Sequence, residues 1–155
     1  MKVTTKTGDK GETVYKPGVK ISKGDERIAF VGSIDELQVA IGGIDHDSKK
    51  VREQLLHIQK KLFDIHNNKL VPEDTTDLEK WQDELMEEYK IEFDWNLTTP
   101  KTFRADYARI VARKVERMYY KIGPKLERDD NNRMYLNRLS DYLWVVARTI
   151  ESVKK

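Results

Sequence analysis

Between Asn131 and Val153 the apolar residues Leu136, Leu139, Leu143, Val146, Ile150 and Val153 are spaced alternately three and four apart. With about 3.6 residues per turn, that spacing returns every one of them to the same side of a helix, the seam by which it packs on other helices. The same period recurs upstream. Ile28, Val31, Ile34, Leu37, Ile41 and Ile44 mark a first helix running from about Arg27 to the Gly42-Gly43 pair. Val51, Leu55, Ile58, Leu62 and Ile65 mark a second, capped by Asp47 and Ser48 and ended by Asn67-Asn68. A shorter third helix is expected from about Thr75 to Tyr89, after Pro72, with Leu78, Trp81, Leu85 and Tyr89 as its apolar edge. A fourth carries Phe103, Tyr107, Ile110, Met118 and Ile122 on one side and stops near Gly123-Pro124. Joined by short links, five such helices predict an all-α, up-and-down type bundle over residues 27–154. The first 25 residues, rich in Gly, Lys and Thr and interrupted by Pro17, have no helical period and predict an irregular loop or short hairpin arm. Residues 1–155 fall within the size of a single domain.

Composition supports the helical reading. Hydrophobic residues make up 38% of the chain and charged residues 36%, so a core forms only if the apolar side chains are gathered into narrow stripes. With no cysteine, disulfides, thiolate metal sites and thiol catalysis are excluded. No apolar run approaches the roughly 20 residues that span a bilayer, and the start MKVTTKTGDKG lacks a signal-peptide core, so a soluble, cytoplasmic protein without membrane partners is expected. The formal net charge is only +2, which argues against nucleic acid as a partner. Its distribution is uneven, however. Met1 to Phe30 holds seven Lys/Arg against four Asp/Glu, and Lys101 to Arg128 holds nine against three. Glu73 to Asp94, between them, carries ten acidic residues and two lysines, and reads as a solvated helix face with its flanks. Two separated basic segments suit a compact anion shared between distant parts of the chain.

Several residues within those segments carry chemistry. In Thr5-Lys6-Thr7-Gly8-Asp9-Lys10-Gly11 the glycines let consecutive N–H groups turn toward an anion while Lys6 and Lys10 add charge. The stretch also reads as a Gly-Asp turn with solvated lysines, and it is not a Walker A loop. Lys20, Lys23 and Arg27 form a second basic group, which equally reads as exposed charge. Arg109, Arg113 and Glu116 share one helix face, and the arginines call for a carboxylate across the bundle, a bound triphosphate or water. Asn137, Asp141, Trp144 and Arg148 make a second, polar stripe on the fifth helix, of the kind that meets a ligand or another subunit. Asp35 lies in an otherwise apolar helix; if buried it needs a cation, for which Arg109 is the candidate. His46, His57 and His66 have no metal-ligand spacing and name no metal. Trp81 and Trp144 read as core or interface aromatics. Phe93 and Trp95 sit in a connecting loop between Ile91 and Pro100.

Taken together, these blocks resemble the PduO-type ATP:cob(I)alamin adenosyltransferase family. The resemblance lies in Thr5 to Gly11, Ile21-Ser22-Lys23, Gly32 to Leu37, the arginine-rich Arg109 to Arg117, and the closing stretch Tyr135 to Leu143. It covers nearly the whole chain and is weakest between about Asp45 and Glu92. It implies a five-helix homotrimer that moves the 5′-deoxyadenosyl group of ATP onto cob(I)alamin, with Mg²⁺, at sites between subunits. By the same resemblance Thr5, Lys6, Thr7, Gly8 and Lys10 wrap the triphosphate, supplemented by Lys23 and Arg27. Arg113, Glu116 and Asn137 belong to the ATP site, and Asp35 and Arg109 pair across the subunit boundary. Asp35, Arg109 and Arg113 are the catalytic candidates, and Phe93, sixteen residues before Arg109, is placed against the corrin ring. A downstream adenosylcobalamin-dependent enzyme is the implied recipient of the product. The chain departs from the family in three places. Asn96-Leu97-Thr98 replaces a common Pro-Gly-Gly, Lys114 replaces an arginine and with it the forked donor geometry, and Gln38 replaces a frequent Asn. Two other readings stay open: a corrinoid or nucleotide carrier of this fold without catalysis, and a helical module whose basic segments grip nucleic acid.

Overall fold

A computed structural model of the protein describes residue 6 and residues 8–94, 97–123 and 129–152. The expectations placed on Thr5, Thr7, Trp95, Asn96, Pro124 and Val153 lie outside the described residues. Two strands, β1 (Glu12–Lys16) and β2 (Val19–Ser22), precede five helices: α1 (Glu26–Gly42), α2 (Lys49–His66), α3 (Pro72–Tyr89), α4 (Phe103–Ile122) and α5 (Asp130–Glu151). The arm is therefore a hairpin rather than an irregular loop, antiparallel with Lys16 opposite Val19. Its two-residue connection works because Gly18 takes φ +78°, a conformation that costs a side-chain-bearing residue dearly.

Cross-contacts show the helices running alternately up and down. Glu26 pairs with Lys121 and Glu36 with Lys114, so α1 and α4 are antiparallel. Asn137 meets Glu116 and Arg148 meets Asp106, so α4 and α5 are antiparallel as well. Lys61 pairs with Asp74 and Lys50 with Glu84 across α2 and α3. α5 is the most enclosed helix, with Tyr135, Leu136, Leu139, Tyr142, Leu143, Val145, Val146 and Ala147 all in the core. Its polar groups reach α2 as well: Tyr142 donates to Gln54 at 2.9 Å, and Asn132 donates to the Ile65 carbonyl at the end of α2 at 2.9 Å. Among the described residues no helix is long and apolar enough to cross a membrane.

The predicted boundaries hold within a few residues, with one shift. α3 begins at Pro72 rather than Thr75, because proline at the first helical position gives up only an N–H that has no partner in any helix. Asp74 completes that start by accepting from the Val71 N–H at 2.9 Å, while its other oxygen holds Lys61 at 2.9 Å.

One expectation is overturned, and one condition is not met. α4 does not bury Phe103, Tyr107 and Ile110, which are 57%, 44% and 53% exposed. Its inner line is Ala105, Ala108, Val111, Ala112, Val115, Tyr119 and Ile122. The helix is wedged between α1 and α5, and small side chains let three axes approach closely where large ones cannot. Asp35 is exposed on the outer side of α1 and forms no ion pair within the chain among the described residues, so it is not the buried carboxylate considered above. α1 is apolar around most of its circumference, and its period alone could not say which side faces inward.

Removing the Asp74 carboxylate takes away the cap of α3 and leaves Lys61 without its closest partner. Asp74→Ala is expected to cost about 2 kcal/mol in urea unfolding, and Asp74→Asn, which keeps an acceptor for Val71, less than that. Equal losses in the two variants would remove the cap from this account.

Candidate functional site

α3, α4 and α5 part on one side of the bundle around a cavity of about 340 Å³. Arg109 and Arg113, one helical turn apart on α4, line it together with Asp141, Trp144 and Ser140 from α5. Phe93, from the segment after α3, closes the lip: its ring lies 5.3 Å from that of Trp144 at 35° and is 73% exposed. Three residues singled out in the sequence for different reasons, Phe93, Arg109 and Arg113, thus share one cleft. Gln82 and Met86 of α3 complete its far wall.

Behind this cleft lies an ion pair that sequence reasoning missed. Asp106 and Arg148 are each 4% exposed, and Arg148 Nη2 donates to both Asp106 oxygens at 3.2 and 3.0 Å. Arg109 Nε approaches the same carboxylate at 3.9 Å. The Arg148 guanidinium also lies over the Trp144 ring, 5.8 Å from its centroid. Of the polar stripe expected on α5, Asp141 and Trp144 therefore face the cleft and Arg148 turns inward. A usable signal existed, since Asp106 precedes Arg109 by three residues and so shares its face.

The remaining candidates sort by position. Asn137 donates to Glu116 at 3.2 Å and accepts from Arg138 at 2.6 Å, forming a surface bridge from α4 to α5. Lys114 is committed to Glu36 on α1, which also accepts from Tyr107. In the arm, Gly11 takes φ +80° and its carbonyl accepts from the Lys23 N–H at 2.9 Å, folding residues 8–11 against the end of β2. Lys23 then lies over Gly8 so closely that a Cβ there would stand 2.9 Å from its Nζ. Lys6 and Lys10 belong to this turn, and among the described residues no hydrogen bond or ion pair joins either to α4. Arg27 is engaged by Asp25 through two hydrogen bonds of 2.9 and 2.8 Å and stacks over Tyr15. Tyr15 in turn packs edge-on against His66 and accepts from it through its carbonyl at 3.3 Å, docking the hairpin where α1 begins and α2 ends.

The histidines have partners of their own: His46 Nε2 meets Thr149 Oγ1 at 2.8 Å, and His57 packs edge-on against Trp81. Trp81 also packs against Tyr142, as expected of a core aromatic, whereas Trp144 is both core and cleft wall. Among the described residues no three His, Asp or Glu side chains gather to hold a metal.

The chain is thus an antiparallel helical bundle with an N-terminal hairpin and an arginine-lined, aromatic-lipped cleft between α3, α4 and α5. The cobalamin adenosyltransferase family profile matches residues 3–150, and the chain belongs to that family. It is 32% identical to a cobalamin adenosyltransferase of Cupriavidus metallidurans over 96% of this chain and 88% of that protein. It is 29% identical to a corrinoid adenosyltransferase of Citrobacter freundii, over 97% and 96% of the two chains. Among solved structures, a variant PduO-type ATP:corrinoid adenosyltransferase from Lactobacillus reuteri complexed with cobalamin and ATP superposes with a TM-score of 0.82 at 27% identity. That match covers 96% of this chain and 90% of the other.

Partial burial pushes the Asp141 carboxyl above its ordinary value, against the pull of Arg138 and Arg113. Its ionised form is thus disfavoured in the folded state, which takes up a proton before the unfolded chain does as pH falls. Asp141→Asn is expected to melt no lower than wild type at pH 7, and the wild type should gain on the variant as pH falls through the carboxylate range. A variant that melts several degrees lower at pH 7 contradicts this.

Proposed function

We propose that the protein transfers the 5′-deoxyadenosyl group of ATP to cob(I)alamin, giving adenosylcobalamin and triphosphate. The observation that carries this reading is the meeting of Phe93, Arg109 and Arg113 in one cleft. Cobalt(I) is itself a strong nucleophile, so no general base is required. Its electron pair attacks the 5′ carbon, the cobalt–carbon bond forms as the carbon–oxygen bond breaks, and triphosphate leaves with the bonding electrons. The protein's tasks are to align two large substrates, to offset the departing charge and to keep water out.

These residues suit those tasks. Arg113 and the arm residues Thr5, Lys6, Thr7, Gly8, Lys10 and Lys23 take the triphosphate, with Arg27, Glu116 and Asn137 at its margin. Mg²⁺ accompanies the nucleotide and, with Lys6, Lys10 and Arg113, would offset the charge of the triphosphate. Phe93, backed by Trp144, presents an apolar ring to the corrinoid and excludes a lower axial ligand from cobalt. Lys114 contributes at the α1–α4 seam, where Glu36 holds it, rather than at the phosphates.

The active unit in this reading is a homotrimer of this single-domain bundle acting in the cytoplasm, and the product passes to an adenosylcobalamin-dependent enzyme. In support, Val39, Phe103, Tyr107 and Ile110 stand exposed on α1 and α4, a hydrophobic surface that a neighbouring copy can cover. Asp35 lies one turn from Val39 on that surface, free to meet Arg109 of another copy. The arm docks where α1 begins and α2 ends, away from the α3–α5 cleft, so in this reading the lysines that meet the triphosphate beside Arg113 come from a neighbouring copy.

Arg113→Ala is expected to lower turnover about a hundredfold in an anaerobic assay with ATP and chemically reduced cobalamin, followed by the spectral change on adenosylation. Wild-type turnover in that variant removes Arg113 from the mechanism. Binding of both substrates by the wild-type protein without adenosylation would make it a carrier instead.

A further inference from the structure

We propose that Asp106 is a positioning residue for the transfer reaction, acting through Arg109. This rests on the reading of Arg109 as part of the reacting site. Asp106 is an interior carboxylate shared by two guanidiniums. Arg148 binds both of its oxygens, and Arg109 Nε lies 3.9 Å from one of them. That Nε is buried and has no hydrogen-bond partner among the described residues, and the nearby Asp106 charge draws it inward while Arg109 lines the cleft. Arg109 follows Asp106 by three residues on α4, which brings both side chains to the same face.

Arg148 is committed on its other side. Its guanidinium lies over Trp144, whose ring meets Phe93 at the lip, its Nη1 approaches Glu151 at 3.9 Å, and among the described residues its Nε and Nη1 have no hydrogen-bond partner. A continuous chain of contacts therefore runs from Arg109 through Asp106, Arg148 and Trp144 to Phe93. It ties the cationic and aromatic walls of the cleft to one carboxylate. Replacing that carboxylate by a neutral group leaves two guanidiniums facing each other in a poorly solvated region, and the more exposed Arg109 is the one that can swing out. A side chain that only joined α4 to α5 would need neither the second cation nor a place on the cavity wall.

The test is a double-mutant cycle on the full-length protein in the anaerobic adenosylation assay, with folding checked by circular dichroism at the assay temperature. Asp106→Asn, which keeps shape and removes charge, is expected to lower kcat on the order of tenfold while changing KM for ATP by less than about twofold. Asp106→Glu should recover part of that kcat. Asp106→Asn combined with Arg109→Ala should be no slower than Arg109→Ala alone, because the carboxylate then has nothing left to position. Losses that multiply in the double variant, or an unchanged kcat in Asp106→Asn, overturn the proposal. Should Asp106→Asn fail to fold, Asp106→Glu carries the same cycle, with a smaller loss expected alone, none in addition to Arg109→Ala, and multiplication again decisive against it. Wild-type turnover in Arg109→Ala would instead overturn the reading of the cleft on which this rests.

Discussion

The close approach of α4 to both α1 and α5 is the constraint on which the rest of the molecule depends. Ala105, Ala108 and Ala112 put no more than a methyl group at the contact, and Val111 and Val115 fill the space between. A helix gripped on two sides by such a narrow seam cannot rotate about its axis without driving a large or charged residue into the core. That single rotational setting sends Arg109 and Arg113 into the cleft, Lys114 to Glu36, and Phe103, Tyr107 and Ile110 to the surface. The arrangement of charge in the candidate site is thus a consequence of packing elsewhere on the same helix.

Within this frame the interior tolerates an ion pair that would be costly alone. Burying a carboxylate and a guanidinium together costs several kcal/mol of lost hydration, which attraction offsets only when geometry and further contacts are good. Arg148 supplies two hydrogen bonds to Asp106 from one nitrogen and a face-on contact with Trp144. Among the described residues its Nε and Nη1 make no hydrogen bond, Nη1 having only Glu151 at 3.9 Å, which marks the pair as an expensive way to join α4 to α5. The expense makes sense where the same carboxylate governs a second cation at the edge of a ligand cleft, and an apolar pair of equal volume would do nothing there.

The cleft and the hairpin are anchored differently. The cleft is built on long helices whose side chains are held by the core, whereas among the described residues Tyr15 of the hairpin meets His66 and Arg27 at the ends of α2 and α1. Such a division suits a reaction in which a large corrinoid must be held in a fixed orientation while a nucleotide is wrapped and released.

The helical bundle, its order and nearly all its boundaries were legible in the amino-acid sequence, because apolar period, caps and breakers are local and repeat within a few residues. Arg109 and Arg113 were legible as members of a block that resembles a known family, and Phe93 by its place sixteen residues before Arg109. The inward side of α4 was not, since a hydrophobicity pattern weighs Phe103 and Ile110 above Ala105 and Ala108, while the seam between two neighbours selects for smallness. Nor was the exposure of Asp35, since a helix that is apolar around most of its circumference carries no local sign of which flank faces inward. The Asp106–Arg148 pair joins residues 42 positions apart. Only the antiparallel docking of α4 on α5 decides that these two meet, because a charge in a sequence has no partner until the tertiary structure brings one within reach.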